Sequence, residues 1–362
     1  MKLDFNEAPL LAVWETTRAC SLACGHCRAE AITTRDAAEL STEEGKRLLS
    51  DVSSLGGLIV ILSGGDCLNR TDLEEIVAHG KGIGLRLHAS PAATPLATRE
   101  RLLGLRTAGL DGVIFALDGP DAAAHDSFRK APGSFDQTLS SVRLAREAGL
   151  RVTVSTCIAE WNYRHLEGMI GLTTSLGLSC WDVYFLVPVG RLSSLRGISA
   201  QDFEDAFERL HKLSLEAPYA VKLAEAQHFK RYVLEKRSRG AFLRRQASPA
   251  EGGGEAPDQA VNAGKGLVFI DHVGNICPSR LLPLAAGNIR THPLAETYRG
   301  AHPFRELRDP KLLKGRCGVC EYAELCSGSR ARAWAVTGDF LETDPFCAYT
   351  PKAMRIASQA AG

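Results

Sequence analysis

Residues 11–27 read Leu11-Ala12-Val13-Trp14-Glu15-Thr16-Thr17-Arg18-Ala19-Cys20-Ser21-Leu22-Ala23-Cys24-Gly25-His26-Cys27. The apolar run Leu10–Trp14 gives way to the polar run Glu15–Arg18, and then to three cysteines within eight residues. A short, continuously apolar run suits a parallel strand buried on both faces. Three thiols this close on the loop beyond a strand are too dense for unrelated core cysteines. As thiolates they can grip one face of a [4Fe–4S] cube and leave its fourth iron without a protein ligand, where a small molecule can chelate. A zinc ion would want a fourth ligand nearby. His26, adjacent to Cys27, is badly placed to point at the same metal.

Outward from this stretch a rhythm repeats to about residue 215. The apolar runs Leu58–Leu62, Leu85–Ala89, Gly112–Leu117, Val152–Cys157 and Trp181–Val187 follow the first one. Each is succeeded by Gly or Pro punctuation and an amphipathic stretch. Ser41 with Glu44, Thr71 with Glu74 and Ser134 with Gln137 fit capping boxes, and Ser199 opens a helical pattern through Phe203, Phe207 and Leu210. Six strand–helix units with right-handed crossovers predict an α/β fold, a partial (β/α)6 barrel two units short of closure, with its chemistry at the strand C-termini. Residues 246–264, rich in Gly, Pro, Ala and Glu, read as a linker. Beyond it, Leu267–Ile270 and Asn275–Cys277 flank Gly274 as a β-hairpin. The expected organisation is a barrel over 1–215, a helical segment and flexible linker over 216–265, and a loop-rich domain over 266–362.

Composition narrows the function classes. The 362 residues are 45% hydrophobic and 23% charged, with 43 Lys+Arg against 42 Asp+Glu and a net charge of +1. That balance gives no footprint for nucleic acid. No apolar run approaches the roughly 18 residues needed to cross a bilayer, so no membrane partner is expected. Met1–Pro9 lacks an apolar signal core, and a cytoplasmic location follows. Eleven cysteines, an odd number, are then ligands, reactive thiols or core residues rather than a disulfide framework. Four of them, Cys317, Cys320, Cys326 and Cys347, form a C-x2-C-x5-C-x20-C set. From spacing alone that set suits structural zinc or an Fe–S cluster.

The pattern Cys20-x3-Cys24-x2-Cys27 after the first strand resembles the radical S-adenosylmethionine (SAM) superfamily. Ser63-Gly64-Gly65-Asp66 at the end of the second strand is similar to its Gly-Gly-Glu-type motif for the SAM amino group; the usual following Pro is here Cys67. The C-terminal spacing resembles the shortened SPASM, or twitch, domain of the radical SAM enzymes of alternative-haem and denitrifier-haem biosynthesis. Where a full SPASM domain would carry a further cysteine, this chain has Arg330, and Ser279 stands where a ligand usually follows the Cys277-Pro278 turn.

The resemblance implies SAM and two [4Fe–4S] clusters, a SAM-binding one on Cys20, Cys24 and Cys27 and an auxiliary one on Cys317, Cys320, Cys326 and Cys347, with Cys277 as a substitute ligand in reserve. It places His26, Ser63, Gly64, Gly65, Asp66, Ser90, Asp118, Ser155 and Val187 around SAM. It also implies a low-potential electron donor such as flavodoxin or ferredoxin. The chemistry expected is reductive cleavage of SAM to a 5′-deoxyadenosyl radical that takes a hydrogen atom from substrate. Cys67, Cys157 and Cys180 are spare thiols that could return a hydrogen atom, so epimerisation or dehydrogenation of a small natural product, such as a sugar carbinol, is the leading expectation. Tetrapyrrole side-chain modification is the first alternative. Peptide maturation ranks lower because only about nine residues precede the first strand. A zinc-stapled binding module is the non-enzyme alternative.

Overall fold

The computed structural model describes residues 4–25, 27–239 and 261–360; His26 and most of the expected linker lie outside them. All six expected strands form: β1 (Leu11–Glu15), β2 (Ile59–Ser63), β3 (Arg86–Ala89), β4 (Gly112–Ala116), β5 (Arg151–Ile158) and β6 (Cys180–Phe185). They lie side by side in sequence order and run parallel. Helices including Thr42–Ser54, Leu73–Gly82, Arg99–Ala108, Ser134–Glu147 and Leu166–Ser175 fill the crossovers. This is the partial barrel. In β5, Val152, Val154 and Thr156 are buried, whereas Thr153, Ser155 and Cys157 on the other face are only half-buried. Val152 and Val154 join Trp181, Val183 and Phe185 of β6 in the core beneath the helices, where each large apolar side chain contributes about 1.5–3 kcal/mol. The opposite face lines the concave interior.

Ser41 and Glu44 form the expected capping box, with bonds of 3.2 and 2.8 Å. Two other expected boxes do not form. The residue capping Leu73–Gly82 is Asp72, whose carboxylate is taken by Arg70 and Thr42 instead of the helix amides. Before Ser134–Glu147 the cap is Gly133 at φ +79°, and Asp126 of the preceding helix (Ala122–Arg129) accepts from the Gly133 and Phe135 amides at 2.7 Å each. Ser199 caps Ala200–Glu216 with Asp202 as its reciprocal partner.

The stretch expected to be helix and linker contributes a seventh parallel strand, β7 (Ala220–Ala224), beside β6, before the helix Phe229–Arg239. Its sequence, Ala-Val-Lys-Leu-Ala, is too short and too exposed to announce a buried strand. The C-terminal hairpin forms as β9 (Gly266–Ile270) and β10 (Asn275–Cys277), with β8 (Asn262–Ala263) and β11 (Gly287–Asn288) flanking it. Gly274 takes φ +92° at the turn, a conformation that favours glycine.

Strand β9 pairs in parallel with β1, Leu11 opposite Leu267 through Trp14 opposite Ile270. Barrel and C-terminal segment therefore share one sheet, ordered β11-β10-β9-β1-β2-β3-β4-β5-β6-β7. A second core of Val187, Val189, Ala263, Leu281, Leu282, Leu307 and Ala331 joins the end of β6 to the C-terminal segment. Among the described residues no helix is long and apolar enough to cross a membrane.

Candidate functional site

The loop after β1 is fixed by its own backbone. Cys20 N–H donates to Ile32 at 2.8 Å and Ile32 N–H to Arg18 at 3.0 Å. The Arg18 guanidinium donates to the Ala29 and Glu30 carbonyls at 2.9 and 2.8 Å. Thr17 donates to Glu39 at 2.6 Å. Within this frame Cys20 and Cys24 are buried and Cys27 is half-buried. Burial, and then the nearby Asp66, Cys24 and Cys27, push the Cys20 thiol up to about 11; the three thiols lie near enough to act on one another electrostatically. Amide N–H groups of Leu22 and Ala31 donate to the sulfurs of Cys20 and Cys27, each at 3.4 Å, the kind of bond that tunes an iron–sulfur centre.

Gly64 and Gly65 lie directly on this loop. A Cβ on Gly64 would sit 2.4 Å from the Thr17 carbonyl oxygen, and one on Gly65 2.5 Å from that of Arg18. In return Gly65 N–H donates to Thr17 at 2.8 Å and Asp66 N–H to Ala19 at 2.7 Å. The glycines thus clamp β2 to the cysteine loop. The Asp66 carboxylate turns inward, accepting from Thr94 Oγ1 at 2.6 Å and Leu68 N–H at 3.1 Å. Its side chain is committed to holding this turn, and burial raises its carboxyl above the ordinary range. The Ser63 hydroxyl donates to Trp14 at 3.3 Å.

At the other strand ends, Ser90 is half-buried after β3 and Ser155 shares the concave face of β5 with Cys157. Asp118, after β4, is a hub: it accepts from Cys157 N–H at 2.9 Å and pairs with Arg129 at 3.3 Å. Arg129 in turn acts on Cys24, lowering a thiol that burial raises. Val187 departs from expectation. Its side chain is 1% exposed and packed in the second core, so it is used by packing rather than by a pocket. His26 lies outside the described residues.

The spare thiols separate. Cys67 is 0% exposed within the main hydrophobic core. That burial assigns it to packing and speaks against a role as hydrogen donor. Cys180 opens β6 opposite Ala220, at the N-terminal end of the barrel and about 13 Å below Tyr184 at 3.3 Å per residue; it too is withdrawn. Cys277 packs with Val13 and Phe269 and is not among the residues that line the cavity of the four C-terminal cysteines. Cys157 stays at the chemical end, opposite Tyr184.

In the C-terminal segment one cavity is lined by all four expected ligands, Cys317, Cys320, Cys326 and Cys347. None of the eleven cysteines is in a disulfide. Gly328 N–H donates to Cys326 Sγ at 3.3 Å and Arg330 Nη2 approaches Cys317 Sγ at 3.7 Å. Gly328, at φ +64°, lies where a Cβ would come within 2.8 Å of Arg330 Nη2 and of Asp344 Cβ. Burial raises Cys326 and Cys347, the latter to about 11. Among the described residues no three His, Cys, Asp or Glu side chains converge tightly enough for a single metal ion. Four thiols lining one cavity are a donor set that suits a zinc ion or an iron–sulfur cluster.

Three functional candidates were not read from sequence: Arg28, Arg129 and Arg280. Arg28 follows Cys27 directly, pairs with Glu15 at the end of β1 and stacks over Phe269 at 5.1 Å. Its adjacency to Cys27 was the available signal.

Residues 14–173 match the radical SAM superfamily. Over 349 residues the chain is 37% identical to a Methanosarcina barkeri protein named AdoMet-dependent heme synthase, covering 96% of this chain and 99% of that one. The chain belongs to the radical SAM superfamily. This radical SAM enzyme is also 30% identical over 360 residues to PqqA peptide cyclase of Rhodopseudomonas palustris, covering 96% of this chain and 89% of that one. Among solved structures, Streptococcus suis SuiB bound to precursor peptide SuiA matches with a TM-score of 0.74 at 14% identity, over 95% of this chain and 76% of that one. That last likeness is one of fold.

Proposed function

We propose that this radical SAM enzyme modifies the carboxylate side chains of a tetrapyrrole, as a haem synthase, by oxidative decarboxylation of propionate to vinyl. The observation that carries the reading is 37% identity along nearly the full length of both chains to the AdoMet-dependent heme synthase. The epimerisation reading gives way to it, because burial and position speak against two of its three thiol donors and oxidative decarboxylation needs none. In this proposal Cys20, Cys24 and Cys27 hold the SAM-binding [4Fe–4S] cluster, and Cys317, Cys320, Cys326 and Cys347 hold an auxiliary one. When bound there, SAM and the cluster would supply hydrogen-abstracting radical chemistry once a low-potential donor provides an electron.

The chain's own residues do the rest. Gly64 and Gly65 fix the cysteine loop against β2, with Ser63, Ser90, Asp118 and Ser155 around the nucleoside side of the mouth. Asp118 and Arg129 set the charge beside Cys24. The buried barrel wall keeps stray hydrogen donors from the radical. With SAM bound, each propionate would give up one hydrogen atom to that chemistry and one electron to an iron–sulfur cluster held by Cys317, Cys320, Cys326 and Cys347, while its carboxylate leaves as carbon dioxide and a vinyl remains. The segments 1–215 and 266–362 act together as one catalytic unit through their shared sheet.

The test is anaerobic reconstitution with iron and sulfide, then reaction with a strong reductant, SAM and an iron porphyrin carrying propionates where haem carries vinyls. Conversion of propionate to vinyl, with one 5′-deoxyadenosine released per side chain, is the expected result. Release of 5′-deoxyadenosine with the porphyrin unchanged would overturn it.

A further inference from the structure

In the barrel and the segment joined to it, the guanidinium groups withdrawn from the surface have their acids or carbonyls. Arg28 pairs with Glu15, Arg129 with Asp118 and Arg332 with Asp344. Arg330 donates to the carbonyls of Phe340 and Glu342. Arg280 differs. It is half-buried, and among the described residues its guanidinium makes no hydrogen bond and no ion pair. Its one close partner is the ring of Tyr184, 4.7 Å from the guanidinium carbon.

That partner fixes where the guanidinium sits. In β6, Trp181, Val183 and Phe185 are buried in the main core, so Tyr184 projects to the concave side. The register sets it opposite Cys157 of β5, and the Arg280 charge acts on Cys157, Tyr184, Asp182 and Glu225. The last of these is already held by Ser329. The backbone under Arg280 is built for the task. Gly264 N–H donates to Pro278 at 2.9 Å, Leu281 N–H to Ser279 Oγ at 3.1 Å, and Ser279 bridges Leu282. A tight turn after β10, from one end of the sheet, thereby lays a cation across the opening onto β6, near the other end.

A planar fork of donors is costly to leave unpaired in a half-buried place. Stacking on Tyr184 holds the plane still and occupies none of its N–H groups. We infer that Arg280 is the specificity-determining residue that receives a substrate carboxylate in bidentate fashion at the mouth of the barrel. This rests on the porphyrin reading above and extends it: one propionate is anchored by Arg280 against the Tyr184 face while another is presented to the radical.

The test titrates the reconstituted full chain with the iron porphyrin propionate, following its Soret absorbance. Wild type is compared with Arg280→Met, Arg280→Lys and the surface control Arg305→Met, and all are titrated again with the corresponding porphyrin methyl ester. Thermal melts verify folding. Loss of a charged bidentate contact is expected to weaken binding of the free acid by on the order of tenfold to a hundredfold in Arg280→Met. Arg280→Lys should recover only part of it, because the fork is gone, and the methyl ester should bind wild type and Arg280→Met alike. If wild type binds the free acid and folded Arg280→Met binds it equally well, Arg280 is not the anchor, while the porphyrin reading stands. If wild type binds no porphyrin at all, that reading fails, and the Arg280 assignment fails with it.

Discussion

Cys67 and Cys157 look alike in sequence, each beside the C-terminal end of an apolar run, yet their surroundings give them opposite uses. Cys67 follows the Gly-Gly-Asp motif and fills volume in the main hydrophobic core. Cys67→Ala is therefore expected to lower stability by about 1–2 kcal/mol through a small cavity, seen as a shifted denaturation midpoint, while 5′-deoxyadenosine release stays within about twofold, a bound set by the absence of any shift in transition-state contacts. Cys157 faces the mouth, where burial pushes its thiol up to about 12 and keeps it protonated. Nothing in the sequence separated the two thiols, because whether a loop residue turns into the core or into the barrel is decided by packing.

At the scale of elements, the meeting of β2 with the cysteine loop is the contact on which the site depends. Two glycines permit a backbone-to-backbone approach that any side chain would prevent. Gly65→Ala places a methyl 2.5 Å from one carbonyl oxygen and 2.6 Å from the next, neither of which can swing aside. The expected cost is about 2–4 kcal/mol or displacement of the loop, with loss of SAM cleavage. Full SAM cleavage by a variant of wild-type stability would show that the clamp is dispensable. The motif was legible as a ligand-approach element. Its larger part in this structure, bracing the loop, was not, because sequence does not say which backbone a glycine approaches.

For the whole molecule, the joint between barrel and C-terminal segment holds a fully buried ion pair beside its apolar core. Arg332 pairs with Asp344 at 2.9 Å and donates to the carbonyls of Leu186 and Glu225, at the ends of β6 and β7. Burial would raise the Asp344 carboxyl, but the Arg332 charge and the Ser329 amide outweigh it and hold it below the ordinary value. Arg332→Met strands that charge and is expected to cost about 3–5 kcal/mol, measured by chemical denaturation. His228, buried among Phe203, Phe207 and Asp344, is pushed down to about 3 by burial, with Arg332 and Arg231 adding to the effect. Between 6.5 and about 3 the unfolded chain binds a proton there that the folded chain does not. Stability should fall as pH drops through that window. His228→Phe should flatten the dependence of the melting temperature on pH, and an unchanged slope would remove His228 as its source.

By itself the sequence determined the strand–helix alternation, the two cysteine sets and the superfamily, because continuous apolar runs and ligand spacing are local properties that neighbours along the chain must satisfy together. Tertiary structure alone decided that β9 docks on β1, that β7 joins the sheet, that Cys67 packs in the core, that Cys180 lies at the N-terminal end of the barrel and that Arg280 stands unpaired over Tyr184. Those outcomes depend on which surfaces meet across hundreds of residues, and burial, pairing and the direction a side chain takes exist only once they have met.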